Sequence, residues 1–427
     1  MKQKRLYQYI APNILAMVGI SCYILADTFF IATAQGTNGI TALNLALPIY
    51  GIIFAIGSMI GTGSAIRYAL AKATGQQEAK KYFSNALIWD VIVSVIFIAA
   101  GLFFPGQVMR VMGADTVIES IGMPYTRIVL CFTPFFMMNY AFTAFVRNDN
   151  APHIAMAATL LSSLFNIVFD YVFMFPLGMG MTGAALATAV SPIVSILICM
   201  VHYLSPKSSV SFHFMVPSVR MLISSCSLGV VAFVGEIASA VTTMVFNFVL
   251  LGLDGNTAVA AYGVIANTAL VGTAIFNGVS QGLQPLASEA HAKGEADEKR
   301  KILIKSVLTG IVLAVVLIGG VWIFAPQITD VFNSEHSEQL AAYAVPGIRI
   351  YFAGFFAAAI NIIFAGFLSA TDHAKESSIV AITRGIVAII AFALILPKFL
   401  GITGVWLAFP AAEVLTLFVA LVILKKN

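Results

Sequence analysis

The stretch from Gly61 to Lys81, GTGSAIRYALAKATGQQEAKK, has a second version later in the chain: Ser280 to Arg300, SQGLQPLASEAHAKGEADEKR. Gly63 matches Gly282, Gly75 matches Gly294, and a charged tail follows each. At nearly the same spacing, Gly183-Ala184-Ala185-Leu186-Ala187 resembles Gly404-Val405-Trp406-Leu407-Ala408. A repeat of roughly 220 residues means a duplicated unit rather than one long fold. The first unit covers residues 1–204 and the second 219–427, with residues 205–218 (SPKSSVSFHFMVPS) as a cytoplasmic linker.

Composition says what surrounds each unit. Sixty per cent of the residues are apolar and 10% are charged, against roughly 25% charged in soluble domains. So few charges cannot cover a water-facing surface, and the remainder must face lipid. Apolar runs between charged or turn-rich breaks give twelve spans, at 8–34, 42–70, 84–104, 122–146, 153–175, 183–204, 219–251, 258–290, 303–324, 339–369, 377–396 and 402–424. The expected fold is an all-α membrane protein with two six-helix lobes. Each lobe has an even number of spans, so both enter from one side and their pseudo-two-fold axis runs along the membrane normal. Transporters of this plan place substrate between the halves and rock them.

Of the 23 Lys and Arg residues, all but Arg110, Arg127, Arg349 and Lys398 fall in loops or span ends on the side of the N-terminus. By the positive-inside rule both termini are cytoplasmic. The net charge of +4 is spread over short loops and forms no nucleic-acid patch. Lys2, Lys4 and Arg5 before an apolar run, with Ala32-Thr33-Ala34 after it, imitate a signal peptide. Pro12 and Asp27 interrupt that run and further spans follow, which argues against cleavage. Cys22, Cys131, Cys199 and Cys226 lie in apolar stretches with no C-x-x-C pair and read as small packing residues.

Acidic residues within spans are the candidate chemistry, because a charge at mid-membrane costs about 2.5–3.5 kcal/mol on insertion scales. They are Asp27, Asp90, Asp170, Glu236 and Glu413. Asp27, Asp170, Asn166 one turn from Asp170, and Thr188 fall at similar depths in the outer half of the first repeat. Two carboxylates, an amide and a hydroxyl suit a proton or a hard cation. The competing reading is that they glue helices together. Glu236 is deep and isolated and reads as functional. Asp90 lies close enough to the cytoplasmic end to hydrate and reads as structural, while Glu413 stays open between the two. No histidine lies in a span core, so proton chemistry falls to carboxylates and no buried His or Cys metal site is expected. Gly278-Val279-Ser280-Gln281-Gly282 matches a hydrolase G-x-S-x-G, but inside a membrane helix it reads as a close helix contact, as does Gly57 to Gly61. No enzyme site is legible.

These residues resemble the multidrug and toxic compound extrusion (MATE) family, in its MepA-like or DinF-like branch. Ala26-Asp27-Thr28 followed by Gly36 resembles the family's first-helix motif, and Gly61-Thr62-Gly63-Ser64 with Gly75 its second-helix ending. Asn166 to Phe175 (NIVFDYVFMF), Gly178, Gly180 and Gly183 to Thr188 resemble its fifth-to-sixth-helix signature, and Ser280 to Pro285 (SQGLQP) its eighth. The resemblance implies a cation-coupled antiporter exporting amphipathic, often cationic molecules by alternating access. It also implies a monomer in the plasma membrane among lipids, with no cofactor and H+ or Na+ as coupling ion. By motif it places that ion, including any bound Na+, at Asp27, Asn166, Asp170 and Thr188. It gives Pro12 a bending role and Tyr125 a place in the hydrogen-bond network. Glu236 becomes a substrate or second cation site. Members using that glutamate pair it with an acid in the tenth span, and residues 351–369 contain none. Ala32 replaces a usual glycine. The alternative from the same architecture is a lipid-linked oligosaccharide flippase, which favours a cationic cavity that these spans do not offer; a channel ranks third.

Overall fold

The computed structural model describes residues 3–332 and 337–426. Lys2 and His336 lie outside these, as do the side chains of Lys4, Ala32 and Gly36. Helices α1 (Arg5–Gln35), α2 (Ala42–Ala73), α3 (Ala79–Phe103), α5 (Pro152–Met174) and α6 (Gly180–Tyr203) are each long and apolar enough to cross a membrane. So are α7 (Val219–Gly255), α8 (Thr257–Ala292), α9 (Ala296–Phe332), α11 (Ala374–Ile395) and α12 (Pro397–Lys425). The other two spans are broken. Helix α4 pairs Thr116–Cys131 with Thr133–Asn148 at 48°, and α10 pairs Glu338–Ala353 with Phe355–Ala370 at 43°. Counting each bent pair once gives the twelve expected spans.

Helical backbone runs unbroken through Gln3–Ala73, yet α1 and α2 lie side by side. Tyr9 Oη donates to Asn150 Oδ1 at 2.9 Å, and Tyr68 Oη to the adjacent Asp149 at 2.6 Å. In a straight helix these tyrosines would stand almost 90 Å apart (about 1.5 Å per residue), so the chain reverses between the two spans. Between α7 and α8 the reversal is explicit: Asp254 leaves helical geometry and Gly255 takes φ 68°, ψ −150°, a combination open in practice to glycine alone.

The bends in α4 and α10 were not legible as breaks. In α4, Pro134 has no N–H to return to the preceding turn. In α10 there is no proline at the break; Gly354 lies against α12, where a Cβ would stand 2.9 Å from Pro410 Cα. The two bends fall at equivalent places in the two halves, and so do the left-handed residues Asn150 (φ 65°) and Asp372 (φ 62°) just beyond the ends of the two broken spans. The duplication is therefore visible in the backbone as well as in the sequence.

One buried apolar cluster draws its members from Ile31 to Val210, and a second from Phe246 to Ala412. A third is mixed, with Leu6, Tyr9 and Ile10 packed on Val279, Leu283 and Leu286. This third cluster is the seam between lobes. It closes by backbone contact at glycines: a Cβ on Gly282 would lie 2.7 Å from Ile10 Cα, and one on Gly229 2.8 Å from the Met59 carbonyl carbon. Gly57 and Gly61 make equally close approaches to Met137 and Ala141 of α4, as expected for G-x-x-x-G. Around the seam, Arg5 pairs with Glu289 at 3.0 Å and Arg67 with Asp372 at 2.8 Å. Arg147 Nη1 donates to Asn13 Oδ1 at 3.2 Å and Gln281 Oε1 at 2.7 Å.

The linker is strapped to the first lobe. His213 N donates to Ser84 Oγ at 2.8 Å and Ser218 N to Asn85 Oδ1 at 2.7 Å. Asp149 is the main anchor: its buried carboxylate accepts from Lys72, from Tyr68, from Ser209 N at 2.8 Å, and meets His202 Nε2 at 2.8 Å. Burial opposes its ionisation, but these donors outweigh burial and hold the carboxyl below the usual aspartate range. The resulting stability is present above the unfolded value of about 3.9 and is lost as pH falls through the lower folded value.

Asp149→Ala should lower unfolding free energy by about 3–5 kcal/mol by orphaning buried donors. Melting curves of wild type and variant should lie furthest apart at neutral pH and converge in acid. Gly282→Val should wedge the seam apart, cutting the yield of a thiol crosslink between Arg5→Cys and Glu289→Cys while leaving the Asp149 anchor intact.

Candidate functional site

Four polar residues from three helices meet inside the first lobe. Helix α1 contributes Asp27, α5 contributes Asn166 and Asp170, and α6 contributes Thr188. Asn166 and Asp170 share a face because they are four residues apart on one helix. Both are fully buried, while Asp27 and Thr188 keep 8% of their surface. Asn166 Nδ2 donates to Thr188 Oγ1 at 3.3 Å. The carboxyls of Asp27 and Asp170 are near neighbours. A hydrogen bond between two carboxyls needs a proton on one of them. Asp27 Oδ1, both Asp170 oxygens and Asn166 Oδ1 otherwise have no donor among the described residues. The cluster is thus rich in acceptors and poor in donors. Two adjacent carboxylates in that state repel, and only a bound cation, a proton included, relieves them.

Around this cluster stands an aromatic wall. Tyr50 Oη donates to Tyr125 Oη at 3.0 Å, both buried and both close enough to Asp27 and Asp170 to feel their charge. Tyr125 was expected there and Tyr50 was not; an apolar span carrying a deep tyrosine was the available signal. From Tyr50 the rings continue through Phe54 at 5.5 Å to Tyr140 at a further 6.0 Å. Tyr140 Oη then crosses to the second lobe and donates to Glu236 Oε1 at 3.1 Å. Tyr23 of α1 lies near Asp27, Asp170 and Glu236 alike. Glu236 is therefore a neighbour of the first-lobe cluster from the second lobe, less isolated than its sequence context suggested.

Pro12 is not brought to the cluster. It lies fifteen positions before Asp27, about 22 Å along the helix, and is buried at the seam. Next to it, Asn13 Nδ2 donates to Tyr9 O at 2.7 Å while its oxygen receives Arg147. The proline turn is thereby tied to both α4 and α8 through one guanidinium.

Glu413 is settled by its partners. Arg384 Nη2 meets Oε1 at 2.7 Å, and Asn361 Nδ2 donates to Oε2 at 2.8 Å. Arg384 counted as a cytoplasmic charge in the sequence reading. It lies instead within α11, in a widened helical turn at Thr383–Val387, a local form frequent where a side chain must be re-aimed. Where the tenth span lacks an acid, Asn361 stands and serves this neutral pair. Asp90 also departs from expectation: it is fully buried rather than hydrated.

The MatE family model matches residues 12–172 and 232–395, one segment in each half. Multidrug export protein MepA of Staphylococcus saprophyticus is 24% identical over 98% of this chain and 93% of its own length. The protein of that name from Staphylococcus aureus is 25% identical with the same coverage. Among solved structures, a MOP superfamily transporter from Pyrococcus furiosus superposes with TM-score 0.91 at 20% identity, covering 99% of this chain and 95% of that one. A structure described as the outward-facing conformation of a multidrug resistance MATE family transporter gives 0.89 at 20% identity, covering 99% and 97%. At that identity the superpositions speak for the fold alone. The family model covers most of the sequence on both sides of the linker, and on that ground the chain belongs to the MatE family.

Proposed function

We propose that this protein is a cation-coupled antiporter that exports amphipathic, often cationic small molecules by alternating access. The observation carrying this reading is the buried Asp27–Asp170 pair with its unpartnered oxygens. Such a pair needs a cation while it is buried, and water reaching it lets the cation leave. An ion entering from outside fills it as substrate leaves, and the ion's departure to the cytoplasm restores the need. The names of the MepA relatives support multidrug export as the task.

With the termini cytoplasmic, in the plasma membrane, the closed seam lies on the cytoplasmic side, as an outward-facing state requires. Tyr23, Tyr140 and Glu236 then border the cleft between the lobes, where aromatic faces and one carboxylate suit a lipophilic cation. The transporter works as a monomer without a cofactor. The site's oxygen donors, Asp27, Asp170, Asn166 and Thr188, accept either H+ or Na+. Each net charge moved inward gains about 2.3 kcal/mol per 100 mV, enough for roughly a forty-fold substrate gradient at about 1.4 kcal/mol per tenfold. The flippase reading gains no support, since Arg147 and Arg384 within the spans are already engaged.

Ethidium accumulation in inside-out vesicles separates the coupling ions. A pH gradient and a sodium gradient are imposed in turn, and only the gradient of the coupling ion should drive uptake. Asp27→Asn and Asp170→Asn should each reduce driven uptake at least tenfold, about 1.4 kcal/mol in barrier, without lowering the melting temperature. Wild-type rates in Asp27→Asn would refute the coupling role.

A further inference from the structure

Outside the candidate site, one buried carboxyl among the described residues has no partner on either oxygen. Asp90 of α3 has no exposed surface, and neither of its oxygens has a donor among the described residues. It stands eleven residues into α3, about 16 Å from the Ala79 end. The helix is two-faced there. Phe83, Ala86, Leu87, Asp90 and Ser94 are buried, whereas Val91, Val95 and Ile96 are exposed. Asp90 therefore points away from lipid, into the packing of α3 against α2, α4 and the other lobe's α7.

The ionisable group facing it from α7 is the Cys226 thiol. Of the charges on the helices packed around α3, Arg127 and Arg220 are exposed and Glu119 pairs with Arg110; the others are used elsewhere. Arg67 binds Asp372 and the Ser224 carbonyl, Lys72 binds Asp149, and Arg147 binds Asn13 and Gln281. Glu236 is held by Tyr140, and the Ser94 hydroxyl is spent on the Val91 carbonyl. A bare carboxylate in this position has neither water nor a counter-charge, whereas the protonated acid requires neither.

We propose that Asp90 is a second proton-binding site, filled while the lobes are packed at the seam and emptied when they part. The cover over it is the α2–α7 crossing. There Gly229 lies against Met59, and a Cβ on Gly63 would stand 2.8 Å from the Ser225 carbonyl carbon, one residue from Cys226. Separation of α7 from α2 and α3 admits water. The carboxylic O–H then breaks, its proton passes to water, and the carboxylate remains hydrated. Closure reverses the step by taking one proton from water on that side. The open form holds one proton fewer, so raising pH on that side favours opening. This linkage stands whether Asp27 and Asp170 carry H+ or Na+.

The test is infrared spectroscopy of the full-length protein in lipid, labelled with carbon-13 aspartate. At neutral pH, wild type should show a protonated-carboxyl carbonyl band that disappears in Asp90→Asn and persists in Asp27→Asn and Asp170→Asn. Asn copies the shape of the neutral acid, so folding should be retained; should it fail, Asp90→Glu should move the band instead. Identical wild-type and variant spectra in that region would overturn the proposal. The opening step is read at Cys226 by maleimide labelling in inside-out vesicles, resolved by mass spectrometry. The wild-type to Asp90→Asn labelling ratio should rise with pH by up to about tenfold per unit, the slope for one linked proton. A carboxylate beside the thiol would by itself suppress thiolate and lower the ratio. A flat or falling ratio therefore overturns the link to opening.

Discussion

A carboxyl group removed from water must be given a donor, a counter-charge or a cation, and much of this protein's organisation follows from how each acid meets that demand. Asp149 is met by five groups, Lys72, Tyr68, His202, the Ser208 hydroxyl and the Ser209 N–H, and becomes the anchor of the first lobe. Glu413 is met by Arg384 and Asn361 and becomes a neutral brace in the second. Asp27 and Asp170 are left facing each other, and Glu236 has one tyrosine. The acids that remain unsatisfied gather on the first lobe or along the cleft, so two lobes with the same scaffold differ in what they can bind.

The same economy of partners explains the seam. The two lobes are not welded by one broad apolar core. Here they meet through glycine-flattened backbone contacts, a small mixed cluster and a few polar ties at Arg5, Arg67 and Arg147. Arg147 is the least comfortable of these. It is buried, it has no carboxylate, and its Nε has no partner among the described residues. In the proposed cycle, hydration on opening would relieve that burial.

Much of the fold was legible because membrane burial writes itself as long apolar runs and duplication as a fixed offset. Gly61–Lys81 and Ser280–Arg300 carried both signals. The first-lobe cluster was legible because an acid within a span is conspicuous, and helix geometry puts Asn166 under Asp170. What escaped were matters of partnership. Arg384 looked like a span-end charge because nothing in its own span announces Glu413 on the next helix, α12. Asp90 looked hydrated because depth along a helix does not report which face α2, α4 and α7 cover. Tyr50 and Tyr140 were lost among many aromatic residues, since ring-to-ring order is a property of packing. The break in α10 has no proline and depends on a contact with Pro410 that no local pattern encodes.

The strapped linker has a mechanical consequence. Residues 205–218 are fastened to the Asp149 anchor at Ser209 and to α3 at Ser84 and Asn85. The second lobe is therefore not on a slack tether: α7 leaves from a corner whose position the first lobe fixes. Under the proposed rocking of the lobes, a body held at one corner would swing like a gate on its pin, moving least near Ser218 and most at the far end of α7. Small angular play at the pin would then be geared up into wide travel at the opposite mouth, with the length of α7 setting the gearing ratio.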